Sequence, residues 1–132
     1  MTVYDPLRHR EVPKSPEELV RQWFILQLRD RFSVPEHMMM SEVGFNFGKK
    51  KYRADIIVYD RDCRPLAVVE CKRPEVVIDD TVVQQALRYN AVLDVHYIML
   101  TNGNNTYLYK RNGNGFEPVS RIPDYETMLC RL

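Results

Sequence analysis

The order of apolar and polar positions separates a helical first quarter of the chain from a strand-rich middle. After Ser15-Pro16-Glu17-Glu18, with a serine N-cap, a proline in the first helical position and a glutamate in the third, Leu19, Val20, Trp23, Phe24 and Leu26 recur at helical spacing. This predicts a helix from residue 15 to about 32, with an apolar face that a sheet or a second helix must cover. From Met38 to Tyr59 the pattern turns to alternation, interrupted at Gly48-Lys49-Lys50-Lys51, which predicts a hairpin of strands over about 40–47 and 52–60. Leu66-Ala67-Val68-Val69 is a continuous apolar run, the mark of a strand buried on both faces, and it stops abruptly at Glu70-Cys71-Lys72-Arg73-Pro74.

A second helix is predicted from Asp79 or Asp80 to about Leu93, then a buried strand from Val95 to Leu100 and a turn at Thr101-Asn102-Gly103-Asn104-Asn105. A strand over Thr106 to Lys110, a glycine-rich loop at 112–115 and a short helix from Asp124 complete the reading. Residues 1–14 show no period and predict an extended or partly ordered arm; residues 15–132 predict one domain. The order α-β-β-β-α-β-β mixes hairpins with one helical crossover, so an α/β fold with a mixed sheet flanked by helices is expected.

Composition narrows the function classes. At 132 residues and 45% hydrophobic, the chain suits a single self-folding core and leaves no room for an ATP-driven motor. Nineteen Lys and Arg nearly cancel eighteen Asp and Glu, so the strongly basic balance of many nucleic-acid binders is absent, which does not exclude that function. Three cysteines, Cys63, Cys71 and Cys130, form no even framework, and no apolar window reaches the length of a signal peptide or a membrane span, so a cytoplasmic protein is expected. His9, His37 and His96 are isolated, which argues against zinc. Gly44 to Lys51 superficially resembles a phosphate-binding loop. Only three residues separate Gly44 from Gly48 and no Ser or Thr follows the lysine, so no nucleotide cofactor is expected.

The chemistry concentrates where the buried run ends. Alternation places Glu70 and Lys72 on one face with Cys71 on the other, and charged groups at the end of an interior strand must be paired, hydrated or metal-bound. Asp55, at the head of Ile56-Ile57-Val58, could be brought beside Glu70 by a neighbouring strand. Two carboxylates and an amine suit metal-assisted phosphodiester hydrolysis, because Mg²⁺ takes a few carboxylates and leaves its other positions to water and phosphate. A lysine there can orient or deprotonate the attacking water, or stabilise the developing negative charge.

Asp55, fourteen intervening residues and Glu70-Cys71-Lys72 resemble the PD-(D/E)XK nuclease motif, and Gln85 with Tyr89 resembles its QxxxY motif. Glu18 with Val20-Arg21-Gln22, Arg53-Ala54-Asp55, Val69 to Pro74, Gln85 to Asn90 and Leu100 to Gly103 are together similar to the N-terminal domain of type I restriction enzyme R subunits and its stand-alone relatives. The resemblance implies a restriction-endonuclease-like fold with an α-β-β-β-α-β core and a DNA endonuclease site. Asp55, Glu70 and the backbone carbonyl of Cys71 would bind Mg²⁺, or Mn²⁺ in its place, with Glu18 as the acid of the first helix. Lys72 would assist the water, and Gln85 and Tyr89 would face the site and the DNA backbone. Ala54 stands where the family has proline.

Plainer roles compete. Glu18 could close a capping box with Ser15, Asp55, Glu70 and Lys72 could be a solvated ion pair, and Gln85 and Tyr89 an ordinary surface pair. Lys49, Lys50, Lys51 and Arg53 could track a DNA backbone or form a solvated turn. DNA is the expected partner, along with other subunits of a restriction or repair complex or a second copy of the chain; no membrane partner is expected. The alternative function is a DNA-binding or assembly module with the same fold and an unused site.

Overall fold

A computed structural model describes residues 1–130. The last two residues of the expected domain, Arg131 and Leu132, lie outside the described residues.

Strands β1 (Thr2–Asp5) and β2 (Arg10–Pro13) form a small antiparallel hairpin. Helix α1 (Pro16–Asp30) follows, then a single 3-10 turn at Glu36–Met38, strands β3 (Met39–Phe47), β4 (Lys50–Tyr59) and β5 (Pro65–Cys71), helix α2 (Asp80–Asn90), strands β6 (Tyr97–Thr101), β7 (Thr106–Asn112) and β8 (Gly115–Val119), and helix α3 (Tyr125–Cys130). Strands β3 to β8 form one sheet in sequence order, antiparallel except for the β5–β6 pair, whose connection runs through α2 as a parallel pair requires. Each predicted element is present, with β4 starting two residues early and α2 ending three residues early. The expected loop at 112–115 is instead a tight turn whose far side is β8, with Gly113 in the left-handed region at φ 60°.

Caps set the helix starts. Ser15 accepts the Glu18 N–H and Asp79 accepts the Val82 N–H. α1 and α3 cover one face of the sheet through Phe24, Ile25, Leu28, Tyr125 and Met128, packed on Ile56, Val58, Val69 and Met99. α2 covers the other face, with Val83 and Ala86 against Leu100 and Leu87 against a cluster that holds Ile57, Val68 and Ile98. Between Thr101 and Thr106 the chain turns on Asn102, whose Oδ1 accepts the Asn104 and Asn105 N–H groups, while Gly103 takes φ 89°. No described helix is long and apolar enough to cross a membrane.

Two strands break their alternation at the same place. Ile56 and Val58 lie on the α1 side and Ile57 on the α2 side, yet Ala54 also lies on the α2 side, so the side-chain sequence slips by one at Asp55. On β3, Met39 faces α1 whereas Val43 and Phe45 face α2, with the slip at Glu42, whose φ of 53° is left-handed. The flanking pairs Ser41–Ile56 and Val43–Ala54 keep one register, so Glu42 and Asp55 oppose each other.

The N-terminal residues, expected as an arm, are ordered by a buried carboxylate. Asp5 is fully buried and accepts the Leu7 and Arg8 N–H groups, the Ser41 hydroxyl and the Arg8 guanidinium. Burial alone would raise its pKa, but the Arg8 guanidinium and the other donors outweigh that and hold it below 3.8. A depressed folded value means that the stabilisation is complete above pH 3.8 and is lost as pH falls through the lower folded value. Asp5→Ala should cost about 3 kcal/mol at pH 7, the scale for breaking a buried pair. In thermal unfolding, the gap between variant and wild type should narrow as pH is taken below 3.8.

Candidate active site

The site forms where β4 and β5 separate. Their ladder runs through Val58–Ala67, Ile57–Val68 and Ile56–Val69 and then stops, although both strands continue. Beyond that point the Cys71 N–H has no backbone partner on β4, and Asp55 Oδ2 accepts it at 2.7 Å. Cys71 and Lys72 stay tied to β6, through the Cys71–Thr101 pair and the Lys72 N–H on the Thr101 carbonyl. The fork therefore holds Asp55 beside the end of β5 while leaving its mouth open.

A cleft of about 370 Å³ opens at the fork, lined by Glu17, Arg53, Asp55, Glu70, Cys71, Lys72, Gln85, Ala86 and Tyr89. Six of the residues expected at the site thus share one cleft with Arg53. Glu70 Oε2 pairs with Lys72 Nζ at 2.9 Å, and Glu70 Oε1 accepts the Asn90 side-chain N–H at 2.9 Å. Asp55 Oδ1 accepts Arg21 Nη2 at 3.0 Å. Tyr89 Oη accepts the Arg53 N–H at 3.0 Å, a group that past the fork has no β5 partner.

Two groups of the expected residues lie outside the cleft. Glu18 does not line the cleft and closes no capping box: its Oε1 takes Arg8 Nη2 at 2.9 Å and Arg21 Nη1 at 2.6 Å, and its Oε2 takes Gln22 Nε2 at 3.0 Å. The first-helix acid at the cleft is Glu17, one residue earlier, with a side chain 46% exposed. Lys49, Lys50 and Lys51 stand outside the cleft on the exposed hairpin end, where the Lys50 ammonium lies 5.1 Å from the Tyr52 ring centre. That hairpin is nonetheless fixed relative to the site, because Phe45 stacks on Tyr52 at 5.4 Å and Tyr52 meets Tyr89 at 4.9 Å.

Burial raises the Asp55 pKa; the Cys71 N–H and Arg21 pull it back and Glu70 pushes it up again, leaving it above the ordinary value. Glu17 is also raised, by partial burial and then by Asp55. Burial lowers Lys72, but Glu70, Glu17 and Asp55 outweigh it and hold the ammonium protonated. The Cys71 thiol is pushed well up by burial and the Asp55 charge, which favours the protonated form.

Among the described residues, no group of three or more His, Cys, Asp or Glu side chains is set to cage a metal. The donors at the fork are two side-chain carboxylates and a backbone carbonyl, which fit a cation that keeps several waters rather than zinc. Sequence reading passed over Glu17, Glu42 and Asn90, and gave Arg21 no role. Asn90 lies one turn past Ala86, whose carbonyl it also binds, a spacing that marks it as facing the same way.

The mixed sheet between α1 and α2, with a forked strand pair carrying acids and a lysine, defines a restriction-endonuclease-like fold. Residues 16–123 match the family of the type I restriction enzyme R protein N terminus, and the chain belongs to that family. Its fold is similar to a fragment assigned as an HsdR subunit of a type I restriction enzyme from Vibrio vulnificus YJ016, with TM-score 0.52 and 23% identity over 70% of this chain and 20% of that one. It is also similar to a protein assigned as a DUF820 nuclease from Anabaena variabilis ATCC 29413, with TM-score 0.55 and 12% identity over 99% and 84%. The type IIG restriction endonuclease BpuSI gives TM-score 0.51 and 18% identity over 91% and 16%. The chain thus spans about a fifth of the HsdR fragment and less of BpuSI. No protein of curated function matches it significantly.

Asn90 is 2% exposed, so Asn90→Ala should leave Glu70 Oε1 short of a donor and cost about 1–3 kcal/mol. Asn90→Asp would add a carboxylate against Glu70. Its destabilisation in chemical denaturation should exceed that of Asn90→Ala at pH 7 and shrink toward pH 4 as the introduced carboxylate takes up a proton.

Proposed function

We propose that this domain hydrolyses DNA phosphodiester bonds with a divalent cation held by Asp55, Glu70 and the Cys71 carbonyl. The observation that carries the reading is the fork, which sets two carboxylates and a protonated lysine into one open cleft although Asp55 and Glu70 adjoin interior stretches of β4 and β5 and Lys72 directly follows β5. Mg²⁺ or Mn²⁺ bound there would supply Lewis acidity toward a phosphoryl oxygen and lower the pKa of a bound water. Lys72, oriented by Glu70 and held charged, stabilises negative charge developing on the phosphate. Gln85 and Tyr89 face the same cleft from α2; Tyr89 accepts from Arg53 and keeps its own O–H to donate to a phosphate oxygen. Arg53 at the rim, and Lys49 to Lys51 on the fixed hairpin, attract the backbone. Specificity and partner subunits fall to the longer assemblies in which this family occurs, or to a second copy.

The test is cleavage of plasmid and single-stranded DNA with Mg²⁺ or Mn²⁺. Wild type should cut, and Asp55→Ala and Lys72→Ala should each lose roughly 100-fold or more, the scale for removing one group that stabilises transition-state charge. Cleavage that survives both substitutions rejects the site. Binding without cleavage under every cation identifies the domain as a DNA-binding or assembly module instead.

A further inference from the structure

Arg21 falls in the Val20-Arg21-Gln22 stretch of the resemblance without an assigned role, yet it touches more of the site's acids than any cleft residue. Its Nη2 lies 2.6 Å from Glu42 Oε1 and 3.0 Å from Asp55 Oδ1, its Nη1 lies 2.6 Å from Glu18 Oε1, and Glu17 stands 3.9 Å away. Glu42 and Asp55 oppose each other on adjacent strands, an arrangement of like charges that destabilises a sheet unless a cation lies between them. Among the described residues, the ion pairs that meet at Arg21 join five carboxylates, Asp5, Glu17, Glu18, Glu42 and Asp55, to three cations, Arg8, Arg21 and Arg53. The neighbouring Glu70 and Lys72 cancel each other. The excess is two negative charges, the amount one divalent ion would neutralise.

Arg21 is also incompletely matched: both terminal nitrogens donate to carboxylates, but the third nitrogen does not. It is 5% exposed, and its Nε is buried without a hydrogen-bond partner among the described residues. A guanidinium built purely as a structural clamp would have every donor matched.

Resting on the metal-dependent reading above, we propose that Arg21 is a positioning residue that stands in for the divalent cation. In the cation-free protein it holds Asp55 and Glu42 together across the β3–β4 pair; when the ion binds, it gives up Asp55 and keeps Glu18 and Glu42. The exchange costs the guanidinium little, because two carboxylates at 2.6 Å remain to it.

The experiment is thermal unfolding of the full chain with and without Mn²⁺, for wild type, Arg21→Gln, Arg21→Lys and the double variant Arg21→Gln/Glu42→Gln. Arg21→Gln should lower the cation-free Tm, show a larger Mn²⁺-induced rise than wild type, and bind Mn²⁺ about tenfold more tightly, the scale for removing one competing charge in a partly screened site. Adding Glu42→Gln should recover much of the lost cation-free Tm, because the opposed charges are gone. Arg21→Lys keeps the charge without the fork and should fall between wild type and Arg21→Gln, which tests the idea even if Arg21→Gln does not fold. A Mn²⁺ response that substitution of Arg21 leaves unchanged, or no recovery from Glu42→Gln, overturns the exchange and leaves the cleavage reading standing. No Mn²⁺ response in any variant overturns both.

Discussion

Where β4 and β5 part, the Cys71 N–H must find an acceptor or remain an orphan donor at the edge of the core, and the Asp55 carboxylate supplies it at 2.7 Å. Much of the site follows from that bond. It ends the ladder at Ile56 and Val69, fixes Asp55 next to the Glu70-Cys71-Lys72 end of β5, and frees the next stretch of β4 from a second neighbour. The Arg53 N–H exposed by the separation is taken by Tyr89, which carries α2 and the aromatic contacts of the hairpin into the same arrangement. The opening is thus produced by strand separation, and side chains replace the missing backbone bonds on both sides of it.

Holding acids at such a fork requires cations, and the chain recruits them from three elements. Arg8 comes from the N-terminal hairpin, Arg21 from α1 and Lys72 from the end of β5. Asp5, buried beneath Arg8 and bound to Ser41 of β3, makes the hairpin part of this system. Residues without periodicity of their own are ordered because one buried carboxylate collects four donors of three kinds. Removing either partner from such a network leaves a charge without compensation, which is why these positions carry more energy than surface ion pairs would.

The elements were legible because their signals are local: a capped amphipathic α1, an interior run for β5, a turn at Asn102-Gly103. The motif residues Asp55, Glu70, Lys72, Gln85 and Tyr89 were legible through spacing, and all line one cleft. What was hidden depends on backbone geometry that composition does not encode. Helix phase around α1 decides between Glu17 and Glu18, and Arg8, from a hairpin with no periodic signal, is what draws Glu18 inward. Glu42 is invisible to strict alternation because β3 slips there, and only the register across the hairpin reveals it opposite Asp55. β8 was missed because Gly113 and Gly115 read as loop, when one left-handed glycine suffices for a tight return.

A formal charge of +1 argues weakly about nucleic acid because the acids and bases are not mixed evenly. Five of the eighteen acidic side chains are drawn, among the described residues, into one network, where Asp5 and Glu18 are under 10% exposed and turned toward arginines rather than solvent. Lys49, Lys50, Lys51 and Arg53 remain exposed on one hairpin, beside a cleft in which burial raises the pKa of Asp55 and of Glu17. A phosphate backbone approaching that face meets the basic hairpin first and the acids only at the fork, the place where a divalent ion would reverse their sign. Net charge averages over this separation, whereas binding and chemistry at the fork depend on it.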